Sequence, residues 1–145
     1  NIHIMIRYEI EKLLISGELE VDDLPDKWDD MYEQSLGVRA EDRSSGVLQD
    51  IHWSMGAIGY FPTYTLGNLY SAQLLEAARE DLPEHDSQIS RGEFSPLLHW
   101  MREKVHRRGS ILRPAELIQE ACGEPPSPEA FVEYLKRKVA RLYGV

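Results

Sequence analysis

The sequence predicts an all-α fold, and three observations carry that prediction. Apolar residues return every three to four positions along most of the chain, the spacing that gathers them on one side of a helix. Prolines and glycines bracket these stretches. Pro25, Pro96, Pro114 and Pro128 fall in first turns, and Gly17, Gly37, Gly92, Gly109, Gly123 and Gly144 follow the last periodic residues. No segment makes a persuasive strand, and there is no internal repeat or low-complexity tract. Residues 1–145 read as a single helical region.

The first helix is predicted over Ile2–Ser16, with Asn1 as N-cap and Gly17 as stop. It is apolar almost all round, with Glu9 and Lys12 marking its wet side. His3, Arg7 and Glu11 form a polar line at successive i, i+4 steps inside that apolar surround. Arg7 is therefore expected to be partly buried, and a buried guanidinium needs a carboxylate. Glu11 could supply it; alternatively Arg7 waits for a substrate carboxylate, which its planar fork can grip at two points. A second helix is expected from about Asp22 to Leu36, acidic at its start, with Leu24, Trp28, Met31, Tyr32 and Leu36 on one stripe. Trp28 reads as a packing residue. Val38 to Ser45 is polar and aperiodic, a loop in which Arg39 and Arg43 are expected to be solvated.

The stretch Gly46-Val47-Leu48-Gln49-Asp50-Ile51-His52-Trp53 is the most informative in the chain. Taken as a helix from near Ser45, it turns Val47, Leu48, Ile51 and Met55 toward a core. Gln49, His52 and Trp53 then stand at i, i+3 and i+4 on the other side. An ordinary solvent face carries Lys and Glu; this one offers an amide, an imidazole and an indole. Gly56 and Gly59 break the chain before the aromatic run Gly59-Tyr60-Phe61-Pro62-Thr63-Tyr64-Thr65. A long helix follows from about Thr63 to Leu82. Leu66, Leu69, Tyr70, Leu74 and Ala77 form its core stripe, and a largely small-residue line through Gly67, Ser71, Leu75 and Ala78 allows another helix to approach. Pro83 ends it. A short helix near Glu84–Ser90, then helices over Ser95–Arg108, Pro114–Cys122 and Pro128–Tyr143, complete the chain, with Ser95 and Ser127 as N-caps. Leu97, Leu98, Met101 and Val105 form one apolar stripe; Phe131, Leu135, Val139 and Leu142 form another.

The segments GVLQDIHW and GYFPTYTLGNLY and the opening NIHIMIRYEIE, three separate motifs in the right order, resemble the C-terminal part of the carboxypeptidase Taq family of zinc metallocarboxypeptidases. The likeness is dense from Asn1 to about Ala78 and continues more weakly beyond. It implies a helical, zincin-like metallopeptidase and removal of residues from peptide C-termini. It also implies a cytoplasmic protein that forms homodimers, with zinc or another divalent metal in the full-length enzyme. The family holds its metal with a His-Glu-x-x-His helix and a downstream Glu, and this sequence contains neither. The resemblance therefore implies a fragment of an enzyme roughly three times as long. Its remaining N-terminal part would carry the metal, and this piece alone would bind no catalytic metal and hydrolyse nothing. The absence of an initiator methionine before Asn1 points the same way.

On this resemblance His52, with Tyr60 or Tyr64, would stabilise the oxyanion that builds on the scissile carbonyl. Arg7 would take the substrate's terminal carboxylate, and Gln49, Asp50 and Trp53 would shape the pocket. From the residues alone, His52 equally suits a structural hydrogen bond, and the tyrosines equally suit a core. A zinc-ligand role for His52 lacks a second His or carboxylate at ligand spacing.

Composition sets the remaining bounds. Sixteen basic residues against twenty-five acidic ones leave a net charge of −9, which argues against nucleic-acid or anionic-membrane binding. Cys122 is alone, forms no internal disulfide and suits a reducing compartment. No signal peptide or membrane-length apolar run is present. A different class of function fits the same bounds: a non-catalytic helical interaction or dimerisation module, using the Gln49/His52/Trp53 face.

Overall fold

The computed structural model describes all residues from Asn1 to Val145, and every regular element in it is helical. Seven α-helices follow in order: α1 (Ile2–Ser16), α2 (Leu24–Leu36), α3 (Phe61–Asp81), α4 (His85–Ser90), α5 (Ser95–Lys104), α6 (Pro114–Cys122) and α7 (Glu129–Tyr143). Short 3₁₀ turns lie at Val21–Asp23, Val47–Gln49, Trp53–Met55 and His106–Arg108. The all-α prediction holds, and most helix ends fall within a residue or two of the positions that proline and glycine mark. The chain forms two compact units, Asn1–Leu66 and Gly67–Val145, with the division inside α3.

In the first unit Ile6, Ile10, Trp28 and Val47 are buried together, and Leu14, Leu19, Leu24, Met31, Tyr32 and Trp53 pack around them. This core joins α1 and α2 to the 47–55 segment. Trp28 is 3% exposed, as a packing residue should be, whereas Leu36 at the end of its stripe is exposed.

The segment after Ser45 departs from the sequence reading. It is two separate 3₁₀ turns rather than one helix, because Asp50 between them is extended (φ −84°, ψ 121°). The Asp50 carboxylate accepts the backbone N–H of His52 at 2.8 Å and of Trp53 at 3.4 Å. A short acid that bonds its own following amides offers the backbone an alternative to the helical ladder. Leu48, Ile51 and Met55, expected in a core, are consequently exposed, and only Val47 is buried. The preceding loop is polar as expected. Asp42 accepts the Ser45 amide at 2.8 Å and both the Ser44 and Ser45 hydroxyls, which closes it into a knot. Gly46 is required where that knot meets the first turn: a Cβ there would lie 2.9 Å from Ala40 Cβ and 3.2 Å from the Asp42 carbonyl oxygen.

In the second unit Ala78, Trp100, Ile118 and Ala121 are the buried apolar residues. Two polar side chains tie its elements. Buried Gln73 donates to the Pro125 carbonyl at 2.9 Å and accepts the Ser127 amide at 3.2 Å, fixing the α6–α7 connection against α3. Trp100 Nε1 donates to Asp81 at 2.8 Å, fixing α5 against the end of α3. Three expectations here need correction. Ser95 lies within α5 rather than capping it, while the Ser127 hydroxyl does accept the Glu129 amide at the start of α7. On the small-residue line only Ala78 is buried, and a Cβ at Gly67 would meet nothing within 4 Å. The α7 stripe is open, with Leu135, Val139 and Leu142 exposed. Cys122 is half-buried, and burial raises its thiol pKa.

Candidate functional site

Arg7, Asp50, His52 and Tyr64, drawn from α1, the 47–55 segment and the first turn of α3, form one continuous chain of polar contacts. Arg7 Nε donates to Asp50 at 2.8 Å, and the Asp50 side chain is 1% exposed. The same carboxylate oxygen lies 3.4 Å from His52 Nδ1. The other imidazole nitrogen, Nε2, is 3.1 Å from the Tyr64 hydroxyl. Asp50 thus does two things at once: one oxygen holds the turn that carries His52, and the other faces the imidazole and the guanidinium. His52 Nδ1 is buried and makes no hydrogen bond, so the 3.4 Å approach of the Asp50 carboxylate is a proximity rather than a bond.

Arg7 is held on every side. Nη1 donates to the His3 carbonyl at 2.9 Å and to the Tyr32 hydroxyl, and it lies 3.1 Å from His3 Nδ1. The guanidinium carbon sits 4.6 Å from the centre of the Trp28 ring. Burial, followed by the charge of Arg7, lowers the His3 pKa, so the ring beside the guanidinium favours its neutral form. Burial raises the Tyr32 pKa, and nearby Arg7 works against that rise.

The partial burial expected of Arg7 is present, but its partner is Asp50 rather than Glu11. Glu11 is 4% exposed and binds elsewhere. One of its oxygens accepts the Gly59 amide at 2.7 Å, the other accepts Trp53 Nε1 at 3.1 Å. Both of its oxygens are thus satisfied by donors from the loop it pins. Gly59 adopts φ +78°, a conformation that glycine reaches without strain, and this aims its N–H at Glu11.

The aromatic run closes round the imidazole. His52 has Phe61 at 4.8 Å, Tyr64 at 5.8 Å and Tyr60 at 6.1 Å between ring centres. Tyr60 and Tyr64 meet edge-on at 5.2 Å. Phe61, 1% exposed, forms the floor, while Tyr60 and Tyr64 remain 48% and 43% exposed. Rigid packing below and open phenols above suit a surface that presents hydrogen-bond donors to an incoming molecule. The structure separates the two tyrosines: Tyr64 bonds His52, and Tyr60 lies against its ring.

Not all of the expected residues join this cluster. Gln49 belongs to the other 3₁₀ turn and donates to the Ser44 carbonyl. It lines a separate cavity of about 460 Å³ with Arg7, Trp28, Tyr32, Arg39 and Ser45. Asp50, expected to shape the pocket, has a side chain 1% exposed and meets Arg7. Trp53 spends its indole N–H on Glu11 and packs edge-on against Trp28 and Phe61. Arg39, expected to be solvated, is exposed and pairs at the surface with Glu33 at 2.8 Å and Asp30 at 3.1 Å. Glu11 and Tyr32 are the participants that sequence reasoning missed. The i, i+4 line through Arg7 and Glu11 signalled Glu11, but nothing in the sequence distinguished its true partners. No group of three or more His, Cys, Asp or Glu side chains is placed to hold a metal ion, so the chain's own residues do not fit a metal centre.

Comparison with known proteins places this geometry in a lineage. The family model described as carboxypeptidase Taq (M32) metallopeptidase matches residues 1–139. Thermostable carboxypeptidase 1 of Thermus thermophilus is 47% identical over 144 residues, covering 99% of this chain and 28% of the relative. Carboxypeptidase 1 of Bacillus subtilis is 45% identical over 142 residues, again covering 28% of the relative. Among solved structures, the M32 carboxypeptidase from Deinococcus radiodurans R1 superposes with a TM-score of 0.94 at 42% identity, over 100% of this chain and 29% of that one. The Pyrococcus furiosus carboxypeptidase gives a TM-score of 0.90 at 47% identity. The chain thus spans a little over a quarter of the length of the relatives it matches. Likeness in sequence and in backbone runs together from the first helix to the last, and the chain belongs to the carboxypeptidase Taq (M32) metallopeptidase family.

Proposed function

We propose that this chain is the C-terminal part of a metal-dependent, zinc-type carboxypeptidase that removes residues from the C-termini of peptides. Within it, His52 and Tyr64 stabilise charge on the scissile carbonyl oxygen. The observation that carries this reading is the 3.1 Å contact between His52 Nε2 and the Tyr64 hydroxyl, backed by Asp50 and Arg7 and open to solvent on the phenol side. A phenol held at one edge can turn its proton toward a developing oxyanion, and the imidazole beside it offers a second polar group to the same oxygen. Neither group reorganises far, because Phe61 and Trp53 pack beneath them.

Arg7 and Asp50 are positioning residues on this reading. Arg7 also borders the cavity that Gln49 and Arg39 line, where a terminal carboxylate would find guanidinium groups. The metal and the base that activates water are assigned to parts of the enzyme outside these 145 residues, since no ligand set is present here. Peptides, the rest of the enzyme and a second copy in a homodimer are the proposed partners, and the 145 residues are proposed to act as one piece of a larger catalytic domain. No helix is long and apolar enough to cross a membrane.

The test is kinetic, on the full-length protein. His52→Ala and Tyr64→Phe should each lower kcat by about 100-fold or more with KM changed little, as loss of an oxyanion donor does. Tyr60→Phe should cost far less, because its hydroxyl does not meet His52. A His52→Ala enzyme with kcat within a factor of about two of the parent would remove the mechanism.

A further inference from the structure

A basic cavity in the second unit has no part in the reading above. It encloses about 540 Å³ and is lined by Arg79 of α3, Asp86 of α4, and Tyr134, Arg137, Lys138 and Arg141 of α7. The α7 residues stand at i, i+3, i+4 and i+7, so one helix face carries all of them. Arg79 reaches in from a different helix. Four cations thus line one cavity of a chain whose net charge is −9.

Internal pairing leaves this charge incompletely balanced. Glu76 is shared, accepting Arg79 Nη1 at 3.1 Å and Arg137 Nη2 at 2.8 Å. Asp86 accepts Arg79 Nε at 3.1 Å and also faces His85 at 2.8 Å. Both of these carboxylates are bound to Arg79, while Glu133 of α7 pairs with Lys136 at 2.7 Å and also feels the Arg137 charge. Lys138 finds only the Tyr134 ring, 5.6 Å from its centre, and the Tyr134 hydroxyl at 3.3 Å. Arg141 forms no ion pair. Cations near a helix C-terminus are favoured by the helix dipole, which accounts for Arg141 standing on the last turn. It does not account for Arg79, which α3 brings to the same cavity, held by Glu76 and Asp86.

We propose that this cavity binds a small anion bearing two linked phosphate groups. Guanidinium groups fixed by Glu76 and Asp86 present spare N–H donors in a set geometry, which suits the paired oxygens of phosphate. Lys138 and Arg141 add mobile charge at the rim, and the Tyr134 face provides a flat wall. The volume lies within the range of small-ligand pockets. A single carboxylate would leave most of these donors unused.

The experiment is isothermal titration of the full-length protein with pyrophosphate at constant ionic strength. The parent protein is compared with a Lys138→Gln/Arg141→Gln double variant, and citrate serves as a carboxylate polyanion of similar charge. Both substituted residues are exposed, so the variant should keep its fold. The expected result is saturable binding of one pyrophosphate, weakened about tenfold or more by the double substitution. Citrate should bind at least about tenfold more weakly. Heats no larger than dilution overturn the proposal. So does pyrophosphate binding that survives the double substitution, which would put the anion elsewhere in the protein. Citrate binding as tightly as pyrophosphate would overturn the assignment to phosphate. Hydrolytic activity does not enter the readout, so the outcome is independent of the role given to His52.

Discussion

Glu11 and Asp50 are both buried acids on the first unit's polar side, yet they act through different atoms. Glu11 accepts from the Gly59 amide and the Trp53 indole, and so holds the far side of the loop that carries His52. Asp50 holds the near side through the His52 amide, and meets Arg7 with its other oxygen. Removing a buried acceptor leaves its donors dry, at about 1–3 kcal/mol for each. Glu11→Ala should therefore destabilise the protein by about 2–4 kcal/mol in urea unfolding. Glu11→Gln, which keeps one acceptor oxygen, should cost less. Equal losses for the two would show that side-chain volume rather than hydrogen bonding holds the loop. Tyr60 and Tyr64 look alike in sequence, but at this scale only Tyr64 has its hydroxyl against the imidazole.

Two glycines in helical or turn backbone carry opposite expectations for the elements that contain them. Gly46 sits against Ala40 and the Asp42 carbonyl, and an added methyl must displace backbone. Gly46→Ala should destabilise by about 1–3 kcal/mol, the usual cost of overpacking. Gly67 lies within α3 with open space where its Cβ would stand. Gly67→Ala should stabilise by about 0.5–1 kcal/mol through helix propensity alone. A destabilised Gly67→Ala variant in the full-length protein would show that another element lies against that face. At this scale the 47–55 segment is the chief failure of sequence reasoning. Its apolar spacing fits a helix, but Asp50 bonds the next two amides with its side chain and splits it into two turns. A periodicity count weighs Asp50 only as polar and cannot see that competition.

For the whole molecule, the test is its response to acid. The Trp100 indole N–H, and after it Lys104, hold the Asp81 carboxyl below its usual range. A depressed carboxylate adds stability above its unfolded value, about pH 4, and loses it as pH falls through the lower folded value. Asp81→Asn should therefore flatten the loss of stability between about pH 5 and pH 3, as followed by thermal unfolding. An unchanged slope would mean that the α3–α5 link contributes no pH dependence. The helices themselves were legible from the chain: α1, α6 and most of α7 begin and end where Pro, Gly and apolar spacing put them, because those signals act within a few residues. The motifs around Arg7, His52 and Tyr64 likewise marked the family, and the structure brings those three residues into one chain of contacts. What the sequence determined by itself, then, was the helical architecture and the lineage, both of them local or inherited patterns. Only the tertiary structure decided which acid meets Arg7, which phenol meets His52, and that α3 would bring Arg79 to the basic face of α7. Those pairings join residues on different elements, and many chemically equivalent partners compete for each until packing admits one.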